Sequence, residues 1–473
     1  MNWQIALPEI ALAVMAMMIL VYGVLRKAEQ AQTATMMAVG ALLVTGFLVM
    51  TRAGGAGFHD QFVVDAFSAL VDGLILVSSA FTLIVSLDYN QREGISRFEF
   101  PVLILFATVG MMGMVSASNL ITLYLSLELL SLPSYVVAAF DRDDLRSTEA
   151  GLKYFVLGAL ASGLLLYGIS LVYGFSGSMD FATIGRVLSA PGSASPGMIV
   201  GVVFVIVGLA FKVSAAPFHM WTPDVYEGSP SPVTLFFASA PKVAAVGLFL
   251  RTLSEPFGHL LGSWRLIIEI ISIASMILGT LGAIGQTNIK RLMAYSAIGH
   301  IGYALIGLAV GGPIGIRGVL VYMTVYIIMT AGTFACIIAM RRRGIAVERI
   351  EDLGGLASTD PALALAFAVF MFSLAGIPPL SGFFAKLYVF LAAVNAGMWT
   401  IAIIGVLTSV AGAFYYIHVV KVMYFDSPRA AFDRKSAGVT FVATVTGLYT
   451  LLFFVFPGPF VAAANAAAAA LFG

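Results

Sequence analysis

Apolar runs long enough to cross a bilayer, separated by short polar intervals, recur along the whole 473-residue chain. A helix rising 1.5 Å per residue needs roughly 20 residues to span about 30 Å of hydrocarbon, and in lipid it satisfies its own backbone polar groups. The runs predict fourteen membrane helices, beginning near Ile5, Thr33, Ala66, Phe98, Asn119, Thr148, Met198, Ser231, Leu266, Ile289, Ile316, Pro361, Thr400 and Gly438. The longest polar interval, about 175–197, reads as a short Gly/Ser/Pro-containing loop, which leaves no room for a soluble domain. The first run spans and has no basic stretch before it, so it is expected to stay as helix one and not to be cleaved as a signal. The alanine run at the C-terminus is expected to be a helical or frayed tail.

Two of these helices are interrupted. The seventh breaks around Pro217, five residues after Lys212, and the twelfth breaks at GIPPLSG (376–382), just before Lys386. Proline removes a backbone donor and clashes with the preceding turn. The groups it frees are tolerated at membrane depth only beside protein or water. Matching breaks in two halves of a chain are the sequence sign of internal repeats around a transport path. Counted from helix four, helices seven and twelve are each fourth in a block of five. The pattern therefore predicts N-terminal helices 1–3 (1–97), a repeat of helices 4–8 (98–255), a repeat of helices 9–13 (256–426), and helix 14 with its tail (427–473). Five is odd, so the second repeat is inverted relative to the first.

Composition agrees. Hydrophobic residues are 60% and charged residues 10% of the chain, against about 45–50% and about 25% in soluble domains. This is an all-α polytopic membrane protein. A net charge of +1 argues against a nucleic-acid partner, and the single cysteine, Cys336, excludes a disulfide framework or a CxxC metal site. With the N-terminus outside, Arg26, Lys27, Arg92, Arg97, Arg142, Arg146, Lys290, Arg291, the arginines at 341–343, Arg349, Lys421, Arg429, Arg434 and Lys435 fall in inside loops, against Arg52, Arg186, Arg251, Arg265 and Arg317 outside. Basic loops are retained on the cytoplasmic side, so both termini are expected outside.

The remaining lysines lie within apolar segments. An ammonium at the centre of a membrane helix costs at least ~2.5–3.5 kcal/mol, which makes it a functional candidate by default. Lys212 and Lys242 flank five prolines, from Pro217 to Pro241, and Lys386 follows the second break. The plainer reading, a lysine snorkelling to a headgroup, does not suit the mid-helix Lys242. Desolvation disfavours a charged lysine and a neighbouring carboxylate favours it, so modest rearrangement moves a proton on or off. Glu128 stands among leucines at mid-helix and is either part of such a path or a structural ion pair. Lys153 is ambiguous, because its spacing from Glu149 also suits an ordinary surface pair. His300 is central in helix ten and by itself reads as a packing residue, but between buried lysines it suits a proton relay through both ring nitrogens. His219 reads as a cap for freed carbonyls, and Asp72 as a contact to a neighbouring subunit or an internal hydroxyl. Gly279, Gly282 and Gly285 suit close helix packing, and Asp141, Asp143 and Asp144 have no His or Cys near them to make a metal site.

The runs SLELLSLP (126–133), FKVSAAPFHMWTPDVYEGSPSP (211–232), NIKRLMAYSAIGHIG (288–302) and AGIPPLSGFFAK (375–386) resemble the antiporter-like membrane subunits of respiratory complex I. The match covers about helices four to thirteen and is closest to the N-type subunit of bacterial proton-translocating NADH:quinone oxidoreductase. Fourteen helices without a long lateral helix, and lysine at 386, set it apart from the L and M types. The resemblance implies two inverted five-helix bundles and a hydrated polar line. It makes Glu128 and Lys212 a helix-five to helix-seven pair, Lys153 the link towards the neighbouring subunit, Lys242 a connector, His300 a relay and Lys386 the terminal proton site. It implies no cofactor in this chain, with FMN, iron–sulfur clusters and quinone in partner subunits. The partners it implies are the M, K and J types and the lipid bilayer, in the bacterial inner membrane with both termini periplasmic. Subunits of multisubunit sodium/proton antiporters and membrane-bound hydrogenases share these repeats, and a scaffold with inert ion pairs is a further alternative.

Overall fold

The computed structural model describes residues 3–26, 30–190, 192 and 194–472; Lys27, used above in the loop-charge comparison, lies outside the described residues. The chain opens with α1 (Leu7–Arg26), α2 (Ala31–Thr51) and α3 (Ala66–Arg92), with a small antiparallel hairpin of β1 (Gly55–Gly57) and β2 (Phe62–Val64) joining the last two. The next block holds α4 (Glu99–Val115), α5 (Leu120–Ala138), α6 (Leu145–Ser176), α7 (Phe181–Leu188), α8 (Pro196–Val213), α9 (Thr222–Gly228), α10 (Ser231–Ala238) and α11 (Ala240–Ser254). Then come α12 (Leu261–Ile284), α13 (Ile289–Val310), α14 (Gly312–Ile338), the short pair β3 (Arg341–Arg342) and β4 (Ile345–Ala346), α15 (Leu356–Thr359), α16 (Pro361–Ala375), α17 (Ser381–Asn395) and α18 (Trp399–Phe425). The chain closes with α19 (Ala437–Leu452) and α20 (Gly458–Ala470).

Eleven of the described helices are long and apolar enough to cross a membrane, counting α10 with α11 as one. The 17-residue α4, the α16/α17 pair and α19, which are shorter and apolar, bring the crossings to the fourteen that the apolar runs predict. Helix starts are fixed locally. Asp65, Asn119, Asp144, Asp180, Ser195, Asn288, Asp360 and Ser436 each accept a first-turn backbone N–H, which satisfies donors that a helix leaves open.

The layers differ in burial. The α10–α11 span is buried throughout and α13 and α14 nearly so, whereas α1, α2, α6 and α18 keep much of their surface apolar and outward. The central helices are therefore the ones able to carry polar groups away from lipid. Close approach supports them: a Cβ on Gly279 would lie 2.4 Å from the Gly299 nitrogen, and one on Gly282 would strike Tyr295, while Gly285 faces open space.

The alanine tail is helical, as one of its two readings expected: it is α20, with Ala464, Ala467 and Ala468 buried; small side chains allow the close approach. Several other sequence readings are corrected. The interval 175–197 contains the helix α7, started by the Asp180 cap. Arg251, Arg265 and Arg317 lie in helices and not in loops. Arg251 donates to both Asp65 oxygens (2.9 and 2.7 Å) and to Glu255 (2.6 Å), and Arg265 satisfies the last carbonyls of α13 at Ala309 and Val310 (3.1 and 3.4 Å). Asp72 meets no hydroxyl; it accepts from Arg52 at 2.5 Å.

Candidate functional site

Two broken helices organise the interior. α8 ends on Ser214, whose φ of 65° is left-handed, and the chain resumes as α9; α16 ends on Gly376, φ 89°, before α17. Each break holds a cis peptide, Ala216–Pro217 and Pro378–Pro379. A helix end leaves carbonyls unpaired and carries partial negative charge. At the first break Trp221 Nε1 donates to the Phe211 carbonyl at 3.0 Å, and Lys242 Nζ reaches across from α11 to the Val213 carbonyl at 2.9 Å and to the Ser214 hydroxyl. At the second, Lys386 Nζ turns back from α17 to the Leu374 and Ala375 carbonyls, both at 3.0 Å, and to Ser409 Oγ at 2.8 Å. Each broken helix thus docks an ammonium on the carbonyls that its break exposes.

The other sequence-predicted residues occupy distinct surroundings. Lys212 is buried and donates to Ser131 Oγ at 2.6 Å, with the Tyr135 ring 5.7 Å away. Glu128 is half-buried and accepts from Ser162 at 2.5 Å; no ion pair joins it to Lys212. Lys242 is 1% exposed and faces the rings of Trp221 and Tyr226 at 5.4 and 6.0 Å, with Trp221 stacked on Tyr154 at 4.5 Å. His300 sits in a tyrosine cage: Nδ1 is 2.6 Å from the Tyr322 hydroxyl, Nε2 is 3.0 Å from that of Tyr416, and Tyr416 meets Ser296 at 2.5 Å. Tyr326 lies 5.3 Å from the ring. Tyr303, 6.0 Å from His300, is also the ring under Lys386 at 5.1 Å, so one tyrosine spans the two. His219, read as a cap, is half-buried after the break, and among the described residues its Nδ1 has no hydrogen-bond partner.

Lys153 stands apart. It is 42% exposed and pairs with both Glu149 (2.7 Å) and Asp224 (2.8 Å), so the surface-pair reading and a link to the broken helix hold together. Asp224 extends the cluster to Arg291 (2.7 Å), which also binds Glu227 (3.0 Å). Lys290 joins Glu348 (2.9 Å) and the Ser229 carbonyl (2.7 Å). Arg146 and Asn288 complete the ring of charge around α9, at the mouth of two adjoining clefts of about 170 and 110 Å³ that share Arg146, Glu227 and Gly228. Glu348 lies outside the membrane segments. Burial alone would raise its pKa, but Lys290, with Asn288 and Arg146, outweighs that and holds it below the usual glutamate value.

Sequence reasoning missed Ser131, Ser162, Asp224, Glu227, Arg291, Glu348 and the tyrosines. Asp224 and Glu227 stood in the most distinctive motif of the chain, and their charge beside five prolines was the available signal. Among the described residues, no three His, Cys, Asp or Glu side chains are grouped to hold a metal.

Residues 117–412 match the family model for the NADH:quinone oxidoreductase/Mrp antiporter transmembrane proteins. A chain of Granulibacter bethesdensis named NADH-quinone oxidoreductase subunit N is 60% identical over the whole of both sequences. A chain in the structure of respiratory complex I from Thermus thermophilus is 32% identical with a TM-score of 0.83, covering 97% of this chain and 99% of that one. A chain of the Mrp complex from Dietzia sp. is 24% identical with a TM-score of 0.86, covering 100% of this chain and 98% of that one, a likeness of fold alone.

Proposed function

We propose a proton-carrying role for this chain, which belongs to the NADH:quinone oxidoreductase/Mrp antiporter membrane family and, within it, to the NADH-quinone oxidoreductase subunit N proteins. It is a membrane subunit of the NADH-quinone oxidoreductase complex, and its partners are other subunits of that complex. The finer reading is that it translocates protons without a redox centre of its own, along Glu128, Lys212, Lys242, His300 and Lys386, with Lys153 at the flank. Residues 98–255 and 256–426 would be the two repeats, preceded by 1–97 and followed by 427–473.

The single observation that carries this is the docking of Lys242 and Lys386 on the exposed carbonyls of two broken helices, with Tyr303 beside both Lys386 and His300. Carbonyls hold a lysine in its charged form, while the dry surroundings favour the neutral one. A small motion of either half-helix tips that balance and gives or takes a proton, and the hydroxyls around both imidazole nitrogens provide acceptors and donors between the lysines. The trigger is a charge change outside the chain. Glu128 is half-buried beside the outward-facing Leu125 and Leu129, and a carboxylate on such a face is costly against lipid, which favours a protein neighbour there. Displacing Glu128 changes the field at Lys212, then at Lys242, and the proton moves on through His300 to Lys386 for release.

On this reading the α5/α6 face meets an M-type subunit or the small K and J types. FMN, iron–sulfur clusters and quinone belong to other subunits, and both termini lie on the periplasmic side of a bacterial inner membrane. Gentle purification of the tagged chain tests it. Flavin and iron–sulfur signals in the particle, with NADH-driven and inhibitor-sensitive proton uptake after reconstitution, are the expected result. A particle without redox centres that exchanges sodium for protons would refute it in favour of an Mrp-type antiporter.

A further inference from the structure

The N-terminal helices hold a charged centre that the lysine line does not use. Arg52, at the end of α2, reaches between α1 and α3, donating from Nη1 to Glu9 Oε1 at 2.8 Å and from Nη2 to Asp72 Oδ2 at 2.5 Å. The side chains of Arg52, Glu9 and Asp72 are 4, 8 and 0% exposed. Among the described residues, the other carboxylate oxygens, Glu9 Oε2 and Asp72 Oδ1, and Arg52 Nε are buried without any hydrogen-bond partner.

One guanidinium therefore serves two carboxylates. If both were ionised, the cluster would carry an uncompensated negative charge and two anionic oxygens with no donor, an arrangement that buried polar groups strongly avoid. Among the described residues, the neighbouring charges do not relieve it. Asp65, seven residues earlier on the same face of α3, adds a further negative charge beside Asp72. Its own arginine, Arg251 from α11, is taken up by Asp65 and Glu255. Those two carboxylates are 17 and 25% exposed and reach water, whereas Glu9 is 8% and Asp72 0% exposed.

We propose that Glu9 and Asp72 bind one proton between them against Arg52, forming a proton-binding site separate from the lysine line. A proton on either acid neutralises the cluster and turns one orphaned oxygen into a donor. Arg52 also lines a cleft of about 360 Å³ with Trp3, Thr51 and Gly54, which gives the site a way to exchange with the medium at that face. A hard metal cation would need several oxygen ligands, and only two carboxylate oxygens are unpartnered here. The inference stands whether or not Lys242 and Lys386 carry protons.

Infrared difference spectra of the purified complex test it, wild type against Asp72→Asn. The expected result at neutral pH is a carboxylic-acid C=O band in the wild type that shifts in D2O, is unaffected by sodium, and disappears in Asp72→Asn and in Glu9→Gln. Asn and Gln mimic the protonated acids, so each single variant should assemble, and either one carries the test if the other does not. The double variant strands Arg52 and should lower the yield of assembled complex at least tenfold. No such band in either difference spectrum means that both acids are ionised and overturns the proposal. A band abolished by sodium overturns it in favour of a cation site.

Discussion

Lys212 reaches the helix that carries Glu128 without touching the carboxylate: it donates to Ser131, three residues further along α5, at 2.6 Å, while Glu128 takes the Ser162 hydroxyl of α6 at 2.5 Å. Opposite charges on neighbouring helices still attract in a low-dielectric core, but each is engaged by a serine and no ion pair joins them. On the proposed reading the pair is poised, and the serines set its rest position.

Ser131→Ala removes a bond to a charged group worth about 1.5–3 kcal/mol. Lys212 should then fall onto Glu128, slowing proton delivery about tenfold or more for each ~1.4 kcal/mol lost. Ser131→Thr keeps the hydroxyl and should retain most of the rate. Stopped-flow acidification of proteoliposomes distinguishes the two, and equal rates in wild type and Ser131→Ala would remove the serine from the account.

Gly376 ends α16 at φ 89°, and a Cβ there would lie 3.0 Å from Lys386 Cδ and 3.2 Å from its Nζ. A left-handed non-glycine residue costs about 1–2 kcal/mol, and the added methyl would push the ammonium off its carbonyls. Gly376→Ala should assemble, melt a few degrees lower, and share the pumping defect of Lys386→Ala. A melting shift with normal pumping would show that the carbonyl dock is dispensable.

How far the sequence reaches is visible in these residues. The fourteen crossings and both breaks were legible because length, hydropathy and proline act locally, and Lys242 and His300 stood out because a charge or imidazole in an apolar run is costly wherever the chain goes. The Ser131 and Ser162 partnerships were hidden: serines are common in membrane helices, and which one faces Lys212 depends on how α8 packs against α5. The ring formed by Asp224, Arg291, Lys290 and Glu348 joins segments 67 and 58 residues apart, and no local pattern encodes that. Arg52 was read as an outer loop residue because its partners, Glu9 and Asp72, lie on two other helices.

Glu348 provides a pH signature. Its folded-state pKa lies below the unfolded value of about 4.3, so its pairing stabilises the protein above that pH, and the gain is lost as pH falls through the depressed folded value. Glu348→Gln should melt lower than wild type at pH 7, and the difference should close as pH falls below about 4. A gap that is independent of pH would mean that the ion pair with Lys290 contributes nothing beyond packing.

The tyrosine cage separates a relay from a packing role for His300. Tyr416→Phe removes the hydroxyl at Nε2 and leaves the ring, so a relay predicts pumping reduced about threefold to tenfold, less than the ~10²–10⁴-fold that a positioned proton-transfer group supplies because the imidazole itself remains. His300→Ala should be milder than Lys212→Ala or Lys386→Ala if water fills the space. Unchanged pumping in both, with normal melting, would leave His300 a packing residue.

Protons moved per NADH oxidised, measured in proteoliposomes containing the whole complex with Lys212→Ala or Lys386→Ala, test the central claim most directly. The account predicts an assembled complex with normal flavin and iron–sulfur content whose pumping ratio falls in both variants. An unchanged ratio in both would contradict it, and loss of assembly in both would identify the lysines as struts of a scaffold.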